Sequence, residues 1–172
     1  LIVIILLNLL NAELIKPENL DTLSKTHVLF EWDQEAYASE YNLQISSSNN
    51  FSELLLDTAL NDLVFIDIDN LFWNNQYFWR VQPIFENQNS DNWINTNSFF
   101  TSNSISTIQE NFIIETEEET STANIITLFS SWYDERSIAF DKYGKEIWNT
   151  NNSKRFIVHI DDYSKLYGFK YP

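Results

Sequence analysis

Two pairs of closely spaced carboxylates could do acid–base chemistry in this sequence: Asp67 with Asp69, and Asp161 with Asp162. Two neighbouring carboxyl groups can divide the roles of general acid and general base, as they do in glycoside hydrolysis. Asp67 and Asp69 are two residues apart, so a β-strand would place them on one face. The competing interpretation, which we favour, is a solvated strand face that runs into a turn.

The other residue types that carry chemistry are scarce. The chain has no Cys and two His, His27 and His159, which fall far apart in sequence and within strand-like patterns. Thiolate catalysis, disulfides and Cys-ligated zinc are therefore excluded, and neither His has carboxylates at ligand spacing. The Gly-x-Ser-x-Gly turn of a serine hydrolase is absent. We predict no catalytic residue, no metal site and no cofactor in this chain.

Aromatic residues in loops are the candidates for binding. Trp73 and Trp93 fall in polar loop segments, and Phe72 precedes Trp73. Exposed tryptophans of this kind stack on sugars or on partner proteins. Phe72, Trp73 and Trp93 are thus the predicted ligand-binding residues. The alternative is structural: Trp93 would cover an open end of the fold, and Trp73 would pack at a corner.

Charge narrows the range of partners. The net charge is −15, and the chain has 2 Gly. So acidic a chain repels the phosphate backbone of nucleic acids, and so few glycines argue against a glycine-rich phosphate loop. The charge is uneven: residues 13–135 carry 3 basic and 21 acidic side chains, whereas residues 136–172 carry 7 and 4. This shift is a first indication of two units.

The first ten residues, LIVIILLNLL, are apolar except for Asn8. They are too few for a membrane span, which needs about 20 residues, and they suit the hydrophobic region of a signal peptide. Leu10-Asn11-Ala12 resembles a cleavage site. We therefore expect residues 1–12 to be a truncated signal peptide, and the protein to be exported and not inserted in a membrane once the signal is removed. The alternative is a buried β-strand.

Alternating apolar residues predict the scaffold. Three runs have the period of half-buried strands: Val28-Phe30-Trp32, Tyr41-Leu43-Ile45 and Tyr77-Trp79-Val81. About seven such short strands between residues 13 and 102 predict an all-β chain with a sandwich of two antiparallel sheets. The segments of this region give four further details, of which the state of residues 51–60 is not decided by periodicity. Asn42, Gln44 and Ser46 should face solvent, and Val64, Ile66 and Ile68 should share one face. Residues 51–60 fit a strand or a helical turn. Arg80 should lie opposite the core residues of its strand.

Four motifs in this region, in this order, resemble an Ig-like domain, the fibronectin type III domain of secreted bacterial proteins. They are Trp32, the Tyr-x-Leu-x-Ile run at 41–45, Leu71 six residues before Tyr-Phe-Trp-Arg-Val, and Asp91-x-Trp93 ahead of Phe99-Phe100-Thr101. The resemblance covers roughly residues 14–102. It implies a tyrosine corner formed by Leu71 and Tyr77. It also implies a spacer or binding module, and no enzyme activity.

Residues 103–123 have the composition of an acidic linker, with the run Glu115 to Thr120 at its centre. A calcium site is the more specific alternative for these carboxylates, but the sequence has no Asp-x-Asp-Gly loop. After it, short strand patterns resume from residue 124. Ser137–Phe140 and Lys145–Trp148 would pair across a turn at Asp141–Gly144, where Gly144 suits a positive φ.

This second pattern resembles the first blade of a β-propeller, and more narrowly the beginning of an arylsulfotransferase-type propeller. The resemblance rests on Asp-Lys-x-Gly-Lys-Glu-Ile-Trp at 141–148, followed by Asp162-Tyr163 and Leu166-x-Gly168. Residues 124–172 would supply about one blade of an incomplete propeller. The resemblance implies that the full protein transfers sulfuryl groups between aryl sulfate esters and phenols. The family's sulfuryl-accepting histidine would lie in later blades, so no catalytic residue is carried over.

The sequence thus predicts the N-terminal, non-catalytic portion of an exported protein. Its partners would be its own downstream propeller, and proteins or glycans. Whether the full-length protein is an enzyme is left open by the sequence. The rival interpretation is a secreted adhesion or carbohydrate-binding module with no activity. A third is that residues 124–172 complete a β-rich accessory domain.

Overall fold

The computed structural model describes residues 12–86, 92–106, 126–131, 136–151, 153, 155–160 and 166–170. Strands, turns and bends form all the regular structure in these ranges, which confirms the all-β prediction. Within the same ranges, no helical segment has the length and hydropathy to cross a bilayer. The predicted signal segment lies outside the described residues except for Ala12, as does most of the predicted acidic linker.

The strands follow the chain as short segments joined by turns. Their bounds are β1 Leu14–Lys16, β2 Asp21–Leu23, β3 Val28–Trp32, β4 Glu40–Ser46, β5 Leu54–Leu60, β6 Val64–Asp67, β7 Gln76–Ile84, β8 Thr96–Thr101, β9 Thr127–Ser131, β10 Arg136–Phe140, β11 Glu146–Asn149, β12 Arg155–Ile160 and β13 Leu166–Lys170.

The first eight strands form two sheets, in which β4 lies beside β5 and β7 beside β8. One sheet has the order β2-β8-β7-β4-β5 and a second has the order β1-β3-β6. Two further sheets follow, with the orders β11-β10-β9 and β12-β13. The segment over 51–60, which fitted a strand or a helical turn, is strand β5, and it pairs antiparallel with β4.

The chain divides into two compact units. Unit 1 consists of Leu1–Asp21, Leu29–Ile66 and Gln76–Phe99, and unit 2 of Thr22–Val28, Asp67–Asn75 and Phe100–Pro172. Each unit therefore combines segments that are distant in sequence. The predicted domain limits at residues 103 and 124 stay a prediction.

The core of unit 1 is aromatic, and it joins β3 to the five-stranded sheet. The Phe30 ring meets Trp79 edge-on, with centroids 5.2 Å apart, and Trp32 lies 5.8 Å from Tyr41. Aromatic pairs in such geometry add to the free energy gained from burial alone. Every residue that the three alternating runs placed inward is buried, which confirms that prediction: Val28, Phe30, Trp32, Tyr41, Leu43, Ile45, Tyr77, Trp79 and Val81.

The solvent-facing side of β4 was predicted wrongly. Gln44 and Ser46 are buried, whereas Asn42 is partly exposed. β4 lies between β5 and β7, and the Arg80 side chain of β7 contacts Gln44 on the second face of β4. Ser46 donates its hydroxyl to the Glu53 carbonyl at 2.8 Å, and Gln44 donates to the Asp57 carboxylate at 3.1 Å. Burial is tolerated because both polar groups are hydrogen-bonded.

The apolar face of the β6 region is exposed. Val64, Ile66 and Ile68 are 49 %, 60 % and 42 % exposed. The strand ends at Asp67, so Ile68 lies beyond it, and Asp67 is 2 % exposed. The acidic residue, rather than the three aliphatic ones, is therefore the buried member of this segment.

In unit 2 the predicted strand–turn–strand at 137–148 is confirmed as β10 and β11. The two strands pair antiparallel, and the turn between them closes through a bond from the Gly144 amide to the Asp141 carbonyl at 3.0 Å. Gly144 has φ of 79°, the left-handed conformation that glycine adopts without a steric penalty. Asp162 and Tyr163 lie outside the described residues.

Replacement of Trp79 by Ala should destabilise the chain severely. Trp79 is fully buried, and truncating such a side chain costs about 3–5 kcal/mol out of a total stability of roughly 5–15 kcal/mol. Trp79→Phe should cost less, because the buried indole nitrogen has no acceptor among the described residues. Urea unfolding measures both. Tyr37→Ala, at a 95 % exposed ring, is the control. Equal midpoints for Trp79→Ala and Tyr37→Ala would contradict this core.

Candidate functional site

A pocket of about 320 Å³ lies within unit 2. Its walls carry both charges, an imidazole, a phenol and two isoleucines. The lining residues are His27, Ile68, Asp69, Ile126, Asp141, Lys142, Tyr143 and Lys145. This mixture offers hydrogen-bond donors, hydrogen-bond acceptors and apolar surface to one small ligand.

The β10–β11 turn supplies half of that lining and holds it rigidly. The Asp141 carboxylate accepts hydrogen bonds from the backbone amides of Tyr143 at 2.8 Å and Lys145 at 2.9 Å, both through Oδ1. An aspartate that caps its own turn in this way fixes the backbone of the following residues. The side chains of the turn therefore project from a defined frame.

The charges of the pocket are balanced. Asp69 and Asp141 face Lys142 and Lys145, and no ion pair joins these carboxylates to these ammonium groups in the described part of the chain. The Lys145 Nζ instead lies 5.0 Å from the centre of the Phe72 ring, and the Lys142 Nζ lies 5.1 Å from that of Tyr143. Both contacts have the geometry of a cation–π interaction.

His27 lines this pocket, and its pKa is lowered from the ordinary value. Burial, and then the positive charge of Lys145, lower the pKa of His27, while Asp141, Asp69 and Asp67 act in the opposite direction. The imidazole is therefore mostly neutral at pH 7. It can accept a hydrogen bond from a ligand at one nitrogen and donate one from the other.

Glu146, the residue after Lys145, carries a fully buried carboxylate. It accepts hydrogen bonds from the Ser104 hydroxyl at 2.7 Å, the Ser106 amide at 2.8 Å and the Asn149 side chain at 2.6 Å. The Ile105 amide adds a longer bond of 3.2 Å. A buried charge is stable only when donors surround it, and here the donors come from two separate segments of unit 2. Glu146 therefore binds residues 104–106 to the β10–β11 hairpin.

Of the predicted ligand-binding residues, Phe72 and Trp73 lie in unit 2. Phe72 is 58 % exposed and carries Lys145 over its ring. Trp73 is partly buried, and its indole N–H donates to the Glu146 carbonyl at 2.8 Å. The structure thus places Phe72 beside the pocket and gives Trp73 a packing role at the corner. Their role in ligand binding stays a prediction.

Trp93 belongs to unit 1, where it stacks on Arg80. The Arg80 Cζ lies 3.8 Å from the Trp93 ring centre and 3.9 Å from that of Phe51, so the guanidinium contacts both rings. Arg80 also donates to the Gln44 carbonyl oxygen at 2.7 and 2.9 Å. One face of the Trp93 ring is therefore occupied by a protein cation.

The first carboxylate pair does not form the solvated strand face that we favoured, because Asp67 is buried. Its carboxylate accepts bonds from the Asn70 side chain at 2.6 Å and the Asn70 amide at 3.1 Å. Asp69 is exposed and lines the pocket. Asp161 and Asp162 lie outside the described residues, as does the side chain of His159. Among described side chains, no group of three or more His, Asp or Glu is arranged to hold a metal ion.

Sequence reasoning missed the pocket as a whole. The sequence from Asp141 to Gly144 predicts a turn, but it does not indicate that His27 and Ile68 lie near that turn. The only available signal was the concentration of Asp, Lys, Tyr and Lys in one short turn. Comparison of the chain with protein-family models, with curated proteins and with solved structures gives no match.

Glu146→Gln should destabilise the protein by about 1.5–3 kcal/mol, the usual contribution of a hydrogen bond to a charged group. Glutamine has nearly the same shape, but its side-chain NH₂ group would face at least one of the donors whose hydrogen bonds Glu146 accepts. Urea unfolding measures the loss. Glu53→Gln is the matched control, because Glu53 is exposed and binds a single serine hydroxyl. Equal effects of the two variants would show that the Glu146 network contributes nothing specific.

His27 should make stability fall as the pH drops from about 7.5 to about 5.5. In the unfolded chain its imidazole takes up a proton near pH 6.5, whereas the folded state, with its lowered pKa, resists protonation. Protonation therefore favours unfolding below pH 6.5. Thermal melts across this range should show a smaller fall for His27→Gln.

The Lys145→Gln variant tests whether Lys145 contributes to the lowered pKa of His27. Removal of the ammonium group should raise the His27 pKa, measured by NMR titration of the imidazole protons, since Lys145 lowers it. An unchanged pKa in this variant, or an unchanged pH dependence in His27→Gln, would contradict the electrostatics of the pocket.

Proposed function

We propose that this chain is a non-catalytic portion of an exported protein, in which a fibronectin type III-like sandwich over residues 13–102 positions an arylsulfotransferase-type propeller that begins near residue 124. The two sequence resemblances suggest this arrangement. The full protein would transfer sulfuryl groups from aryl sulfate esters to phenols. The described residues would contribute no catalytic group.

The Glu146 network is the observation that supports a positioning role. Glu146 lies in the hairpin that resembles the first blade, and its carboxylate accepts hydrogen bonds from Ser104 and Ser106, a few residues beyond β8. The Trp73 indole binds the carbonyl of the same residue from the corner that precedes β7. A mere tether needs no buried, hydrogen-bonded charge at its attachment. The cost of burying Glu146 is understandable if the hairpin must keep one defined orientation relative to these segments of unit 2.

The Trp73→Phe variant tests whether these contacts position the β10–β11 hairpin. It keeps an aromatic ring at the corner and removes the N–H bond to the Glu146 carbonyl. The test uses the longer protein that the proposal requires, in which further blades would follow residue 172. We expect that protein to transfer sulfuryl groups from 4-nitrophenyl sulfate to a phenol, and Trp73→Phe to lower the unfolding temperature of the blade region and the rate of transfer.

Trp93→Phe is the matched control, because Trp93 lies in unit 1 and its indole stacks on Arg80. The 172-residue chain alone should show no transfer. Sulfuryl transfer by this chain alone, or an inactive longer product without further blades, would refute the proposal. In the second case an adhesion or carbohydrate-binding protein becomes the better interpretation.

A further inference from the structure

We propose that the pocket lined by His27, Asp69 and the Asp141–Lys145 turn is a binding site for a neutral saccharide. This inference goes beyond the positioning role and does not depend on a propeller downstream. It also differs from the sequence prediction, since it rests on turn residues that no sequence motif assigned to binding.

The balance of charge favours a neutral ligand. An anion would be drawn to Lys142 and Lys145 but would also face two carboxylates, and a cation would meet the opposite conflict. Sugar hydroxyl groups donate and accept hydrogen bonds, so one ring can satisfy carboxylates and ammonium groups together. The neutral His27 imidazole adds one further donor and one further acceptor.

The apolar part of the site is unusually exposed. Tyr143 is 81 % exposed, and the lining residues Ile68 and Ile126 are 42 % and 55 % exposed. Phe72, whose ring contacts Lys145, is 58 % exposed. Exposed apolar side chains that cluster beside polar ones are typical of binding surfaces. The C–H faces of a sugar ring cover such aromatic and aliphatic surfaces while its hydroxyl groups reach the polar residues.

The turn is preorganised, which lowers the cost of binding. Both hydrogen bonds that the described residues make to the Asp141 side chain use Oδ1, so Oδ2 remains for a ligand hydroxyl. Next to His27, the Thr26 amide bonds to the Ile147 carbonyl at 2.9 Å, which fixes that side of the pocket. A site whose backbone is already ordered loses little conformational entropy when a ligand binds.

The size of the pocket limits the ligand. Its 320 Å³ lies at the lower end of the range of about 300–1,000 Å³ that is typical of small-molecule sites. One or two sugar rings fit this space. A longer glycan would place one or two of its units in the pocket and extend along the surface. Amino acids and short peptides, which are zwitterions, also match balanced charges, but they leave most of the exposed aromatic surface unused.

The experiment presents the 172-residue chain to an array of neutral, sialylated, sulfated and uronate-containing glycans. We expect binding to neutral glycans, and titration calorimetry with the best of them should give the Kd. Tyr143→Ala should raise that Kd about tenfold or more, equal to about 1.4 kcal/mol. Tyr143→Phe should keep most of the affinity, and Asp69→Asn should lose several-fold.

Tyr37→Ala is the matched control, because Tyr37 is also an exposed tyrosine and lies in unit 1. It should bind as the unaltered chain does. Tyr143 is too exposed for its replacement to unfold the protein, and a thermal melt verifies this. Four results would overturn the proposal: no binding to any glycan, binding to charged glycans alone, binding only to a zwitterionic dipeptide such as glycylglycine, or equal Kd values for Tyr143→Ala and Tyr37→Ala.

Discussion

A carboxylate that is buried among neutral groups imposes a strict requirement on unit 2. Glu146 is inaccessible to solvent, and all the donors that reach it in the described part of the chain are neutral. Removing such a charge from water is costly, so every donor must be in place for the fold to be stable. The backbone amides of Ile105 and Ser106 and the hydroxyl of Ser104 therefore point inward. The hydrogen bond of Trp73 to the same residue's carbonyl extends this constraint to the corner before β7.

The strands of the first hundred residues could be predicted because burial there has a local cause. On β3 and β7, every second side chain faces the aromatic core, and a period of two is visible in sequence. Alternation does not predict which residues are buried where both faces of a strand are covered. On β11, Glu146 and Ile147 are adjacent and both are buried. On β4, Gln44 and Ser46 are buried for the same reason. Sequence alternation cannot show which segments cover the second face.

Arg80, which lies against the rings of Phe51 and Trp93, accounts for much of the burial on the second face of β4. Alternation correctly placed Arg80 opposite the core residues of β7. It could not show that Phe51 and Trp93 approach from separate loops and enclose the guanidinium, which then binds Gln44. A cation between two aromatic rings is shielded from solvent, and burial lowers the pKa of Arg80 against the effect of Asp57. Loop tryptophans that look free in sequence can thus be engaged by a charge of their own chain.

The pocket and the Glu146 network meet at the start of β11. Lys145 lines the pocket, and the next residue, Glu146, is buried. Glu146 fixes the strand from within, while Lys145 and the turn before it line the pocket. Any shift of the hairpin that moved the pocket would break the buried hydrogen bonds of Glu146. The rigidity that a positioning role requires is therefore the same rigidity that a saccharide site requires, and a single strand of unit 2 can serve both.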